Sequence, residues 1–162
     1  MYRENYLGEK EESYIKRLSS KLHQSQIKDF KVVMEDLSKP VTEDFSFESN
    51  SCAEYKDGKL FILPMLLYTM QKNPFIESNR VYPIHFTFPK QEKYSFSITL
   101  PEGYVVESLP AAAYYQIKDN VGGFRFNINA TKPDQVQVVV TNDINYAMVN
   151  ADYYQSIREF FV

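Results

Sequence analysis

Three segments of this chain alternate apolar and polar side chains with a period of two, at residues 82–88, 94–100 and 124–130. Successive side chains of an extended strand point to opposite faces of a sheet. Each segment therefore predicts a β-strand with one buried face and one solvated face. The same alternation predicts that Phe96 and Phe126 point toward the core.

Turn signals between the apolar runs predict antiparallel hairpins. Asp57-Gly58 and Gly122-Gly123 each lie between two such runs, and glycine supplies the positive φ that tight hairpin turns require. No helix-length apolar pattern separates the strands, which excludes a parallel α/β sheet. Further predicted strands cover residues 27–34, 44–55, 59–63, 104–107, 114–118 and 136–140.

The spacing of strands and turns predicts an all-β fold, an antiparallel β-sandwich of the immunoglobulin-like type. Two short helices flank it. Residues 8–23 show apolar spacings of three and four, and residues 150–161 repeat that pattern after Asn150, a candidate N-cap. We predict that residues 1–25 are a linker helix left from a preceding domain and that residues 26–162 are the β-sandwich domain.

Composition excludes several classes of partner. The chain has 162 residues with 18 Lys and Arg against 21 Asp and Glu, a net charge of −3, so a polybasic surface for nucleic acid is not expected. No apolar run approaches the ~18 residues of a membrane span, and none is expected. The amino-terminal residues also lack the apolar stretch of a signal peptide.

Catalytic and metal chemistry have little support in the residues. The single cysteine, Cys52, could combine only with His23 or His85, and neither histidine has a second ligand at metal spacing. An unreactive thiol and solvated histidines are the simpler interpretation. We therefore expect no catalytic residue, no metal and no cofactor.

Aromatic residues are the one compositional excess, with 13 Tyr and 12 Phe. Tyr114-Tyr115 and Tyr153-Tyr154 are consecutive pairs in which both rings cannot point inward. These four tyrosines are a candidate surface for a carbohydrate or a peptide. Half-buried tyrosines with solvated hydroxyls are the alternative interpretation.

Several segments then point to a family. Residues 73–75 (Asn-Pro-Phe), 79–84 and 100–110, the last running from Leu-Pro-Glu-Gly-Tyr to Leu-Pro, resemble the domain of unknown function that lies C-terminal to a transglutaminase-like core in large bacterial exported proteins. The resemblance covers the chain from about residue 26 onward. The core's cysteine motif is not matched, so no catalytic role passes to Cys52.

The resemblance implies a non-catalytic accessory domain that packs against or positions the transglutaminase-like core of the same polypeptide. It also implies a periplasmic or cell-surface location. Within the matching segments, Pro101 is expected to open a turn that Gly103 completes, and Pro110 to end strand pairing. Pro83 belongs to the same structural motif. Arg80 is expected to pair with a carboxylate or cap loop carbonyls, with ligand binding as the alternative.

Overall fold

The computed structural model describes residues 9–22, 25–34, 39, 41–49, 51–63, 65 and 72–161. His23 lies outside these residues. The elements in chain order are α1 (Glu11–Lys21), β1 (Gln26–Val33), β2 (Thr42–Glu48), β3 (Ala53–Lys56), β4 (Lys59–Ile62), β5 (Ile84–His85), β6 (Lys90–Thr99), β7 (Ala113–Gln116), a 3₁₀ turn (Lys118–Asn120), β8 (Gly122–Lys132), β9 (Gln135–Ile144), β10 (Met148–Val149), a second 3₁₀ turn (Ala151–Tyr153) and α2 (Tyr154–Phe160).

The described chain is mostly β, and every strand pair in it is antiparallel, as predicted. It divides into two units, residues 1–69 and 70–162. The boundary between residues 25 and 26 stays a prediction. Within the first unit, α1 packs on β1, the strand that follows it.

In the first unit, α1 lies on the hairpin formed by β1 and β2. Tyr14 is buried, its ring lies 5.8 Å from that of Phe30, and its hydroxyl donates to the Glu43 carboxylate. The Arg17 guanidinium lies over the Tyr14 ring, 4.8 Å from its centroid. Tyr14 thus joins the helix to the hairpin.

The β3–β4 hairpin, also in the first unit, confirms one predicted turn. Asp57 and Gly58 both have positive φ, 51° and 79°, as a two-residue hairpin turn of the mirror-image type demands. The pairing extends beyond the strands, since the Leu63 N–H donates to the Cys52 carbonyl at 3.0 Å.

The second unit contains a four-stranded sheet with the order β6-β9-β8-β7. β9, one of its two inner strands, places Val136, Val138 and Val140 on a buried face. Phe96 and Phe126 lie on that face as predicted, each directly beside a β9 valine, and both are half-buried. The opposite face carries polar side chains.

A cluster at one end of the second unit joins α2 to the remaining strands. Fully or almost fully buried members are Ile84, Ile117, Val121, Val149, Tyr154 and Ile157. Phe75 packs against the cluster, with its ring 6.0 Å from that of Tyr154 and 5.1 Å from that of Phe161. The core therefore contains residues from both ends of the unit.

Three predicted local structures differ from the observed ones. Within residues 82–88 only Ile84 and His85 pair as a strand, because Pro83 cannot donate to a ladder and Thr87 adopts a φ of 70°. Residues 104–107 form no strand. Asn150 precedes the C-terminal helical segment, but its side chain makes no capping hydrogen bond.

A fourth difference concerns the glycines of the β7–β8 connection. Gly122 and Gly123 belong to β8, and the positive φ values fall on Asp119 and Asn120 instead, at 55° and 56°. Aspartate and asparagine tolerate this left-handed conformation better than other residues with a side chain.

Candidate functional site

The β7–β8 turn joins the hydrogen-bond networks of two of the four tyrosines in the consecutive pairs, Tyr114 and Tyr153. The Ile117 N–H donates to the Gly122 carbonyl at 2.9 Å and closes the turn. Two consecutive left-handed residues, Asp119 and Asn120, form its tip. Such a backbone needs support from outside the turn.

Amide side chains supply that support. Asn145 Nδ2 donates to the Asn120 carbonyl at 2.8 Å, and Gln116 Nε2 donates to Asn120 Oδ1 at 3.1 Å and to the Gly122 carbonyl at 3.0 Å. The Tyr114 hydroxyl completes the chain by donating to Gln116 Oε1 at 2.6 Å. We call Tyr114, Gln116, Asp119, Asn120, Asn145 and Tyr153 the tyrosine–amide surface.

Tyr114 and Tyr153 lie on this surface with different surroundings. Tyr114 is 62% exposed, and the Arg125 guanidinium covers its ring at 5.5 Å from the centroid. The Tyr153 hydroxyl donates to Asp119 Oδ2 at 2.6 Å. That hydrogen bond raises the pKa of Tyr153, with smaller contributions from desolvation and from the nearby negative charges.

Tyr115 pairs with Phe124 on the other face of the sheet and is 37% exposed, and Tyr154 belongs to the buried cluster. The Tyr115 ring contacts that of Phe160 at 6.1 Å. Tyr154 is only 3% exposed, and its hydroxyl donates to the Glu77 carbonyl at 2.8 Å. This burial removes Tyr154 from any ligand surface, because one member of each consecutive pair must point toward the core.

Sequence reasoning did not find Gln116, Asp119, Asn120 or Asn145. Asn145 lies 25 positions after Asn120, and only the register of β8 and β9 brings them together. The dipeptide Asp119-Asn120 itself was the available signal, since both residues favour left-handed turn positions.

A loop at residues 72–83 is held against α2 by contacts at several points. Asn73 Nδ2 donates to the Arg158 carbonyl at 2.7 Å, and its Oδ1 accepts from the Phe75 N–H at 2.8 Å. The Tyr154 bond to Glu77 and a bond from the Gln155 amide to the Ser78 carbonyl continue the attachment. We call residues 72–83 the anchored loop.

The anchored loop nevertheless exposes three large apolar side chains, Ile76, Val81 and Tyr82, which are 78%, 85% and 78% exposed. Single exposed apolar residues are ordinary, but three on one tethered loop are not explained by the unit's own core. The loop thus offers apolar contact area in a defined position.

The predicted structural motif residues occupy the connections around these elements. Arg80 Nε donates to the Tyr82 carbonyl at 3.1 Å, which is the predicted capping of a loop carbonyl. Gly103 has a φ of 85° in a turn closed by the Tyr104 N–H and the Pro101 carbonyl at 3.1 Å. Pro83 directly precedes β5, and Pro110 lies three residues before β7.

Cys52 and His85 are the described members of the candidate catalytic and metal-binding residues. Cys52 is a half-buried free thiol in the first unit, and His85 is exposed on β5 in the second. Within the described ranges, no group of three or more His, Cys, Asp or Glu side chains could hold a metal ion. Neither described helix is long and apolar enough to cross a bilayer.

Comparison with known families matches residues 58–162 to the "Domain of Unknown Function with solved-structure structure (DUF3858)". No curated protein and no solved structure matches the chain significantly. The matched range begins in the β3–β4 turn and includes the anchored loop, the four-stranded sheet and the tyrosine–amide surface. Because the match covers well over half of its residues, the chain belongs to the DUF3858 family of domains of unknown function.

Proposed function

We propose that this chain is a non-catalytic accessory module that packs against or positions a transglutaminase-like core of the same polypeptide, outside the cytoplasm. The observation that carries the proposal is the anchored loop, which holds Ile76, Val81 and Tyr82 in solvent although hydrogen bonds from side chains to backbone carbonyls fix its path. Ordered, exposed apolar groups are what a stable interdomain contact uses.

The fold we propose for the module is an antiparallel β-sandwich of the immunoglobulin-like type. The four-stranded sheet supports it, because one face carries buried valines and flanking aromatic rings while the other carries polar side chains. A sheet with this division of faces packs its apolar side against a second layer.

The test uses the full-length parent protein, with Ile76→Ser, Val81→Ser and Tyr82→Ser combined. Loss of an apolar contact with the core predicts faster hydrogen exchange at residues 76–82 and faster proteolysis between the domains. The melting temperature of the isolated chain should stay within about 2 °C, because these side chains are exposed.

A matched control combines Tyr55→Ser and Phe61→Ser, two exposed aromatic side chains of the β3–β4 hairpin. It should leave hydrogen exchange at residues 76–82 unchanged. Unaltered exchange and proteolysis in the triple variant would contradict the anchored loop as the contact, and a parent gene without a transglutaminase-like core would contradict the proposal as a whole.

The second candidate function is binding of a carbohydrate or peptide by exposed tyrosines. It is favoured by the tyrosine–amide surface, where the exposed ring of Tyr114 stands beside a network of amide groups. Aromatic rings and amides together provide the stacking and hydrogen bonding used by such sites.

Glycan-array and peptide-library screening of the chain tests this function. Tyr114→Ala should weaken the binding of any ligand found by about tenfold or more, since it removes the more exposed of the two rings in the tyrosine–amide surface. Tyr154→Phe is the matched control, because the Tyr154 ring is buried and should not touch a ligand. Absence of any ligand, or equal effects of the two variants, would contradict this function.

A further inference from the structure

The outer face of the four-stranded sheet, opposite Val136, Val138 and Val140, is built from side chains in rows that cross β6, β9 and β8. The pairing places Val139 between Ser95 and Asn127 in one row. We define the outer sheet face by eight residues, Ser95, Ser97, Thr99, Asn127, Asn129, Gln135, Gln137 and Val139. Its members on β6 and β8 are exposed, and those on β9 are half-exposed.

None of these eight side chains is charged, although charged residues make up 24% of the chain. Exposed surfaces of soluble proteins normally carry interspersed Lys, Arg, Glu and Asp. Charged side chains lie at both ends of these rows, since Lys93 and Arg125 pair with Thr141 beyond the Val139 row and Lys132 pairs with Gln135 in the last row. The two middle rows, which cross β9 at Val139 and Gln137, are uncharged and complement a neutral partner better than an anionic or cationic one.

The hydrogen-bonding groups of this face are partly fixed and partly free. Gln137 Nε2 donates to Ser95 Oγ at 3.1 Å, and Gln135 Nε2 donates to Ser97 Oγ at 3.3 Å, so the two glutamines are held across the strands. In the part of the chain that the structure describes, the side-chain amides of Asn127 and Asn129 have no hydrogen-bond partner. Each offers two donors and an acceptor.

Apolar contact is available at the centre and at the rim. Val139 provides a small apolar area between two polar side chains. Tyr114 extends the same side of the sheet at its β7 edge, where it pairs with Arg125 across the strands. Sugars present hydroxyls at the ring edge and C–H groups at the ring face, and both have complementary groups here.

We propose that the outer sheet face binds a neutral polysaccharide lying across the strands. This proposal rests on the carbohydrate-binding function proposed above, which supplies the class of ligand, and it adds the binding surface and the kind of carbohydrate. Each middle row has a serine hydroxyl at one end and an asparagine amide at the other, Ser95 with Asn127 and Ser97 with Asn129, so a polymer crossing the strands meets hydrogen-bonding groups along its length. A peptide strand fits this face less well, because backbone pairing takes place at the edge strands, β6 and β7, and not on a face of the sheet.

Affinity gel electrophoresis of the full chain tests the proposal, with dextran, galactomannan and mixed-linkage β-glucan as neutral probes and alginate as the anionic probe. At least one neutral polysaccharide should retard the chain, and alginate should not. The double variant Asn127→Ala, Asn129→Ala should weaken binding about tenfold, because it removes the free amides from the face.

Asn79→Ala is the matched control, an exposed amide of the anchored loop whose loss should leave binding unchanged. Thermal denaturation of each variant verifies that the fold is retained. If binding survives in the double variant but is lost in Tyr114→Ala, the outer sheet face is not the binding surface, and the tyrosine-based function is still supported. If no neutral polysaccharide retards the chain, or if alginate retards it equally, this proposal is overturned. The array screen would then decide the tyrosine-based function separately.

Discussion

Gly122 approaches the backbone of Asp143 so closely that a Cβ at residue 122 would lie 2.5 Å from the Asp143 carbonyl oxygen and 3.2 Å from Ile144 Cδ1. β9 cannot move away to make room, because it is also paired with β6. We expect Gly122→Ala to lower the free energy of unfolding by about 1 to 3 kcal/mol, as overpacking of a filled site does. Urea denaturation followed by circular dichroism measures this change.

Gly123→Ala is the control for that substitution. A Cβ at residue 123 would meet its nearest neighbours, Gln116 Oε1 and the Tyr115 carbonyl oxygen, at 3.4 Å, which is an ordinary contact distance. Its loss of stability should be clearly smaller. Equal losses for the two alanines would show that the approach to Asp143 is not what requires glycine.

Two adjacent valines of β9 test the assignment of the sheet faces. Val138 has 0% exposure on the buried face, whereas Val139 is half-exposed on the outer one. At ~0.8 kcal/mol per buried methylene plus the cost of the cavity, Val138→Ala should cost about 2 to 3 kcal/mol. Val139→Ala should cost well under half of that in the same urea experiment, and the reverse order would refute the assignment.

The hydroxyl of Tyr154 should contribute to stability apart from its ring. Tyr154→Phe keeps the packing but leaves the Glu77 carbonyl without its donor, so we expect a loss of about 1 to 2 kcal/mol. Tyr114→Phe removes a hydroxyl whose hydrogen bond has a similar length but lies at an exposed position. It should change stability by no more than about 0.5 kcal/mol. Calorimetry compares the two, and similar losses would contradict a buried role for Tyr154.

The bond from Tyr153 to Asp119 makes a prediction at alkaline pH. Because it favours the protonated phenol and raises the pKa of Tyr153 above 10.0, its contribution to stability is present below the unfolded pKa and disappears as pH rises through the folded one. Asp119→Gly keeps the left-handed backbone and should bring the pKa of Tyr153 down toward 10.0. The absorbance of tyrosinate against pH measures this titration, and subtracting the curve of the Tyr153→Phe variant isolates the contribution of Tyr153.

Asp152→Asn serves as the comparison, since Asp152 affects the pKa of Tyr153 only through its charge and less strongly than the hydrogen bond does. It should shift the titration less than Asp119→Gly. A pKa unaffected by Asp119→Gly would mean that the hydrogen bond does not control this phenol.

Alternation predicted the strands of the large sheet well, and for a physical reason. β6, β8 and β9 each have one face against the core, so burial selects every second side chain. Residues 82–88 show the same alternation without forming a long strand. There Ile84 alone is fully buried, and the proline and the left-handed Thr87 stop the ladder on either side of a two-residue pair.

The glycine pair at residues 122 and 123 shows why the candidate site was harder to predict. Glycine serves turns through its backbone freedom and crowded sheets through its missing side chain, and the sequence does not distinguish the two uses. In this protein the close approach of Asp143 requires glycine at residue 122, and Asp119 and Asn120 adopt the left-handed conformation of the turn. Asn145, whose amide supports this turn, is distant from it in sequence, so no local pattern predicts its role.

The tether between the anchored loop and α2 also constrains how the protein is made. Its hydrogen bonds join residues 85 and 77 positions apart, and a seven-residue helix is too short to persist by itself. During synthesis on the ribosome, Phe75 and the core residues around it therefore stay exposed until the chain has been made as far as Phe161. The second unit should acquire its final packing late in synthesis, after its central hairpins have already formed.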